Sequence, residues 1–562
     1  MIDAQTGLFS LLAVLVGLIA RRVLAPRPAV PTAPVYGPAY LPPFVRGVLA
    51  AYRLGANEDE FLLSLRCDYG TAVYFPWPLC QTVILESNAI KRVYEAPSRI
   101  LSFFPIRREM QGSAFGAPYW QDKTLLDDQF FPTHSRGMQK GQLTVPLQRF
   151  IAVVRDRLDD LAVQVDAAPS GELTIKLAPW IVETYFEASL AGLFGPHVRD
   201  AKGISPAELF DAFCKFDRAF PIMASGLVPP FLLEKIPDVK EGRIAQDLIA
   251  STFEAWIRDG FDGLEKGVVR DMAEVALNNE LGAKEGGKML VADFWALQAN
   301  APYIGVQLLL FLLQAPQDLR DSLLAEIDAS LSAATAASDS DSGEPLTFPH
   351  LAQTLPLLGS CITETLRLGT STFSIRVVEQ PLVLPTSAGE KHPQIVIPGG
   401  NARLICATRV HHLNDEFWNG NAWEWDGRRF LDRAESETEG VDAKQQEQEQ
   451  GGEGRGWRSR RANQVYGFGG GISRCEGSTF ATAELKSFTS LFLSTFDVEV
   501  ISPVGKAEFY KLYEPIKLAG VQGNGFRPRR IPGRVGMGAY QFITEANEDL
   551  EVTIRRRGRR TA

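Results

Sequence analysis

The sequence predicts a mainly α-helical protein with small β-sheets, preceded by an N-terminal membrane-anchor helix. Three observations carry that expectation. Apolar residues recur at three-and-four spacing in PLQRFIAVVRDRLDDLAVQV (146–165), SLLAEIDASL (322–331) and GSTFATAELKSFTSLFLSTF (477–496). Strand-prone runs are short and isolated, as in TAVYFPW (71–77), TVILES (82–87) and PQIVIPGG (393–400). The amino end opens on an unbroken apolar run.

That run is LFSLLAVLVGLIA, Leu8 to Ala20, followed by Arg21 and Arg22. As a helix it reaches about 20 Å, short of a hydrocarbon core of roughly 30 Å. Extended from Thr6 to Ala25, with the arginines snorkelling to the interface, it spans. A cleaved signal peptide is the competing reading, but it carries its charge ahead of the apolar run, and here the charge follows. Residues 1–25 therefore read as an uncleaved single-pass anchor with the body on the cytosolic side, as at the endoplasmic reticulum membrane. Residues 26–45 are rich in proline, which resists helix and forms a stiff, extended spacer.

From 46 to 535 no linker separates independent domains. Two polar, Ser-, Gln-, Glu- and Gly-rich stretches, 328–345 and 434–456, read as flexible surface insertions. Residues 536–562 read as a tail ending in the basic run IRRRGRR (554–560), either solvated or against anionic lipid. The segment ADFWALQANAPYIGVQLLLFLLQAP (292–316) is apolar enough to suggest a second span. Asp293, Gln298, Asn300, Gln307 and Pro302 favour a buried central helix instead, kinked or loosened near Asn300 by the proline.

Composition excludes some functions. With 58 basic against 67 acidic residues the net charge is −9, which disfavours nucleic acid as a partner because phosphate binding needs a basic face. The six cysteines, Cys67, Cys80, Cys214, Cys361, Cys406 and Cys475, are scattered without a CxxC pair. A disulfide framework or a zinc site does not fit; a reducing compartment does.

Chemistry concentrates at FGGGISRCEG (468–477). Glycines let the main chain approach a flat or bulky group closely, and a following helix start favours thiolate over thiol. The run fails the dinucleotide fingerprint at Ile472 and lacks the Lys-Ser/Thr ending of a phosphate-binding loop. It resembles the haem-thiolate signature of the cytochromes P450: Phe468, Gly471, Cys475 and Gly477 stand at the required positions. The family's arginine position holds Ser473, with Arg474 displaced by one. ETLR (364–367) and WEWDGRRF (423–430) complete an ordered set similar to the family's ExxR and FxPxRF elements, with Trp425 and Gly427 in place of the usual Phe and Pro.

The resemblance implies a P450 fold holding haem b, with Cys475 as axial iron ligand and Phe468 packed beneath it. It implies a buried support network of Glu364, Arg367 and Arg429, and a cofactor-binding set of Phe468, Gly471, Arg474, Gly477 and Arg376, the last on FSIRVVEQ (373–380) toward a haem propionate. The family's WxxxR element is not visible near 120–140, where His134, Arg136 and Lys140 are candidate stand-ins. At the oxygen-activation position the usual acid and alcohol are replaced by Ala299 and Asn300; Asn300 can donate a hydrogen bond but cannot relay as an acid. Together with Ser-x-Cys, this resembles the branch of sterol 7α-hydroxylases and prostacyclin synthase and related fungal enzymes.

The implied function is a monooxygenase acting on a hydrophobic small molecule, such as a sterol, terpenoid, polyketide or lipid, in specialised metabolism. Its electrons would come from NADPH–cytochrome P450 reductase. An isomerase or dehydratase on the same fold, working without reductase, is the alternative. FPIMASGLVPPFLL (220–233) is similar to the family's membrane-dipping loop, while His411 and His412 read as structural.

Overall fold

The computed structural model describes residues 32–56, 58–117, 119–196, 204–224, 230–261, 266–337, 346–370, 373–418, 420, 422–431, 461–501, 513–515, 526–528 and 551–558. The expected anchor (1–25) and the insertion at 434–456 lie outside them.

The helices used below are α1 Pro43–Ala56, α2 Ser87–Glu95, α3 Phe104–Ser113, α4 Phe131–Gly137, α5 Thr144–Ala167, α6 Leu177–Phe194 and α7 Pro206–Ala224. They continue as α8 Pro237–Arg258, α9 Gly282–Gln298, α10 Ala301–Gln314, α11 Gln317–Ala337, α12 Pro356–Gly369 and α13 Ser478–Thr495. A five-stranded sheet is built from β1 Ala72–Phe75, β2 Gln81–Ile84, β3 Leu101–Ser102, β5 Phe373–Val378 and β6 Ala402–Ala407 in the order β1-β2-β6-β5-β3. A smaller sheet orders β4 Glu172–Lys176, β8 Glu551–Arg556 and β7 Phe496–Val500 as β4-β8-β7.

The central apolar segment is indeed core. Residues Ala301 to Leu312 of α10 are all buried, against α6, α12 and α13. A helix packed on every side needs no polar face. The expected loosening near Asn300 is a complete break. α9 ends at Gln298, Asn300 leaves helical geometry at φ −131°, ψ −57°, and Pro302 stands in the first turn of α10. Proline fits there because a first-turn N–H has no intrahelical partner to lose.

Four sequence expectations are corrected. The stretch from 328 is helix as far as Ala337, not loop: Ser330 and Ala334 are buried, and the Ser330 hydroxyl pairs with His350 and Thr354. Low aromatic content misled there, because small residues pack well where helices approach closely. The proline spacer does not stay extended to residue 45, since α1 begins at Pro43, and it is docked: Tyr36 N donates to Tyr74 O (2.9 Å) and Tyr74 N to Pro34 O (2.8 Å). The carboxyl tail contributes β8, and its arginines meet acids of the body: Arg555 with Glu172 and Glu499, Arg556 with Asp166, Arg557 with Asp328. Strand pairing with residues far away in sequence leaves no local signal. The expected membrane loop at 220–233 begins as helix, because α7 runs to Ala224 and Phe220 is buried against Trp295 at 3.7 Å between ring centroids. Residues 225–229 of that loop lie outside the described residues.

Candidate haem site

The cysteine loop is a tight turn closed on itself. Cys475 N donates to Phe468 O (2.8 Å), Gly469 N to Tyr466 O (2.9 Å), and Ser478 N to Cys475 O (3.2 Å) as α13 begins. Gly469 (φ +69°) and Gly471 (φ +63°) adopt left-handed backbone, which glycine alone enters freely. Space is equally decisive: a Cβ on Gly471 would stand 2.0 Å from the Tyr94 carbonyl, and one on Gly470 2.7 Å from the Tyr94 ring. The glycines thus let α2 press against the loop as well as baring the main chain. Tyr94 is held there by its hydroxyl on Ser374 Oγ (2.6 Å) and by Tyr466, 4.4 Å away.

Cys475 is exposed in the polypeptide alone, although Gly470 and Phe480 beside it are buried. Surrounding protein pushes its thiol up, while the Gly477 amide, Arg107 and Arg474 pull it down. Arg474 itself is exposed, and Phe468 and Gly477 are half-buried.

Beneath the loop lies an ion cluster with a fully buried Glu364–Arg367 pair at its centre and Arg429 largely buried beside it. Arg367 donates from Nε and Nη2 to the two oxygens of Glu364, both at 2.7 Å, and Arg429 Nε reaches Glu364 Oε1 at 2.9 Å. Glu364 and Arg367 have no solvent exposure. Such charges persist only with every partner in place, and here the spare donors are used. Arg367 Nη1 holds the carbonyls of His412 and Ala422 (2.5 Å each), and both arginines hold the carbonyl of Glu424. The substituted element packs in its own way. Trp425 stacks on Phe311 of α10 at 5.3 Å and donates to Thr365 Oγ1, while Gly427 leaves no room for a Cβ beside Cys361 Sγ (2.9 Å). His411 and His412 are structural: His411 Nε2 pairs with Gln464 O, and His412 Nε2 accepts from Tyr466 N.

Arg376 on β5 is buried, lies over the Phe103 ring at 5.3 Å, and has no carboxylate partner among the described residues. A buried guanidinium without an acid suits an anionic group from outside the polypeptide. Glu476, Arg107 and Ser135, which the sequence reading did not single out, gather at the loop with His134, one of the candidate stand-ins. Glu476 follows the cysteine directly and accepts from Arg107 (3.2 Å) and Ser135, with His134 Nδ1 at 2.5 Å. Burial pushes this carboxyl up, but His134, Arg107 and Ser135 outweigh it and bring it to about 2. The other ring nitrogen of His134 lies 3.2 Å from Asp293 on α9. The motif leaves the position after cysteine free, so only a carboxylate at that free position could have signalled the cluster.

Residues 44–514 match the family model described as Cytochrome P450. The chain belongs to the cytochrome P450 family. Its similar proteins include prostacyclin synthase of Bos taurus, 25% identical over 55% of this chain and 57% of that one. A second is 5-beta-cholestane-3-alpha,7-alpha-diol 12-alpha-hydroxylase of Sus scrofa, 27% identical over 57% and 58%. A third is sterol 14-alpha demethylase of Pyrenophora dematioidea, 29% identical over 38% and 36%. The chain spans little more than half the length of the first two relatives, and less of the third.

P450 enzymes use haem b bound through a thiolate, and the residues present fit that group. The accessible sulfur of Cys475 at the head of α13 would serve as a metal ligand, and the guanidinium of Arg376, without an acid among the described residues, as a carboxylate partner. Ala299 and Asn300, in the helix break, have no ionisable group.

Proposed function

We propose that the protein is a haem-thiolate monooxygenase that inserts oxygen into a hydrophobic small molecule of sterol, terpenoid, polyketide or lipid type. We place it in specialised metabolism. The observation that carries the reading is Cys475 on its glycine turn above the buried Glu364–Arg367–Arg429 cluster. Several relatives are named as hydroxylases or monooxygenases, which supports it.

In this reading Cys475 is the axial ligand, Phe468, Gly471 and Gly477 shape its turn, and Arg376, with Arg474, faces the propionates. Haem would supply oxygen activation, favoured by electron donation from thiolate. The protein's own part is to hold that sulfur, keep the loop rigid through the ion cluster, and present Asn300 as a hydrogen-bond donor at the helix break. Electrons would come from NADPH–cytochrome P450 reductase, with residues 1–25 anchoring the body on the cytosolic face of the endoplasmic reticulum. Exposed Phe44, Val48, Tyr52, Phe231 and Leu232 suit a surface resting on lipid.

A second reading, a P450-fold isomerase or dehydratase, is favoured by Ala299 and Asn300. One experiment separates the two. Membranes carrying the protein, with and without reductase and NADPH, are given the metabolites that accumulate when its gene is deleted, under heavy-isotope dioxygen. Labelled product formed only with reductase is the expected result; unlabelled product without reductase overturns it in favour of rearrangement. Cys475→Ala should abolish the thiolate-type reduced-CO band and the product together.

A further inference from the structure

Glu476, His134 and Asp293 form one chain from the cysteine loop, across α4, to the central helix α9. His134 Nδ1 lies 2.5 Å from Glu476 Oε2, and Nε2 lies 3.2 Å from Asp293 Oδ1. A neutral imidazole has one N–H and one lone pair, so it can donate to only one of two carboxylates. Holding both requires one proton more, either on the ring or on an acid.

The two acids are supported unequally. Glu476 is also held by Arg107 and Ser135. Asp293 Oδ2 is buried without a hydrogen-bond partner among the described residues. Burial raises Asp293 to about 6, against the pull of His134 and Arg107. The charged and titratable groups around it are His134 on α4, Arg107 on α3, Glu476 on the cysteine loop and the phenol of Tyr119. The extra proton therefore belongs to the His134–Asp293 half of the chain.

We infer that the His134–Asp293 pair stores and donates a proton for oxygen activation, the task for which residues 299 and 300 carry no acid. The inference rests on the monooxygenase reading. Each turnover then takes one dioxygen, two electrons from the reductase and two protons, leaving one oxygen atom in product and one in water. Within the pair, a proton passes from His134 Nε2 to Asp293, Asp293 releases one toward Asn300, and solvent reprotonates the ring, which is 16% exposed. Asp293 lies on α9 and Asn300 in the break beyond its end, seven residues on, so water must carry the proton over about 10 Å.

The test uses haem-loaded full-length protein carrying Asp293→Asn, Asp293→Glu or His134→Gln. Two readouts are taken: the slope of the ferric–ferrous potential against pH, and the share of NADPH electrons lost as hydrogen peroxide. In the wild type the potential should fall as pH rises through the range where Asp293 titrates, because reduction draws in a proton. Asp293→Asn should flatten that slope and raise the peroxide share several-fold, and Asp293→Glu should restore both. A wild-type slope and peroxide share in Asp293→Asn overturns the inference. So does haem loss in His134→Gln beside unchanged behaviour of Asp293→Asn, which would make His134 a haem-carboxylate ligand. A slope that responds to Asp293→Asn in a protein that the reductase cannot reduce keeps the proton store and sinks the monooxygenase reading.

Discussion

Glu484 shows how much a single residue's surroundings can change its chemistry. It lies on α13, buried against α6, where the Ser189 hydroxyl donates to it at 2.6 Å. Burial raises its carboxyl from 4.5 to about 8, with Ser189 opposing. The folded protein thus keeps this acid neutral where the unfolded chain ionises it. Between about pH 4.5 and 8 the unfolded state binds fewer protons, so stability falls as pH rises through that window. Glu484→Gln keeps the shape and the Ser189 contact without the ionisation. It should raise the unfolding temperature at pH 8 and lose that advantage toward pH 4.5; equal gains at both pH values would show that Glu484 is ionised in the fold. No local pattern marks this residue, because its burial comes from a helix far away in sequence. Cys475, Glu364, Arg367 and Arg429 were legible for the opposite reason: their type and spacing form an ordered motif. Asp293 and Glu476 carry no such spacing, and their link through His134 exists only after folding.

Elements follow local pattern until a distant partner intervenes. The periodicity of 146–165 became α5, and the runs at 71–77, 82–87 and 393–400 became strands. Pro302 foretold the interruption beside Asn300, since a missing N–H is a local fact. The helical reach of α11 to Ala337 and the pairing of β8 depended on partners far away in sequence. The cysteine loop combines both cases. Gly471 was legible as a motif glycine, but its closest neighbour proved to be the Tyr94 carbonyl. Gly471→Ala meets both a left-handed backbone and a contact of 2.0 Å to main chain, which cannot swing aside as a side chain could. It should therefore lower haem content and shift the reduced-CO band away from the thiolate position. Wild-type haem content and spectrum in that variant would mean that α2 can retreat from the loop at little cost.

For the whole molecule, the exposed apolar stripe of α1 would extend membrane contact beyond the proposed anchor. Phe44 (55% exposed), Val48 (50%) and Tyr52 (72%) recur one helical turn apart, and α1 lies against the turn bearing exposed Trp77. A chain lacking residues 1–31 should still sediment with lipid vesicles. Replacing Phe44, Val48 and Tyr52 together by serine should weaken that binding about tenfold or more, since even part of their buried area exceeds 1.4 kcal/mol. A truncated chain that stays in solution would show that the stripe does not touch lipid. The sequence by itself determined the family, the signature cysteine loop, the Glu–Arg–Arg set and the helical class, because each is written in residue type at fixed short spacing. Tertiary structure alone decided that the spacer is docked, that the tail closes a sheet, and that an acid beside the cysteine meets an acid on the central helix through one histidine. Those depend on distances between residues far apart in the chain, which only packing brings within reach of a hydrogen bond.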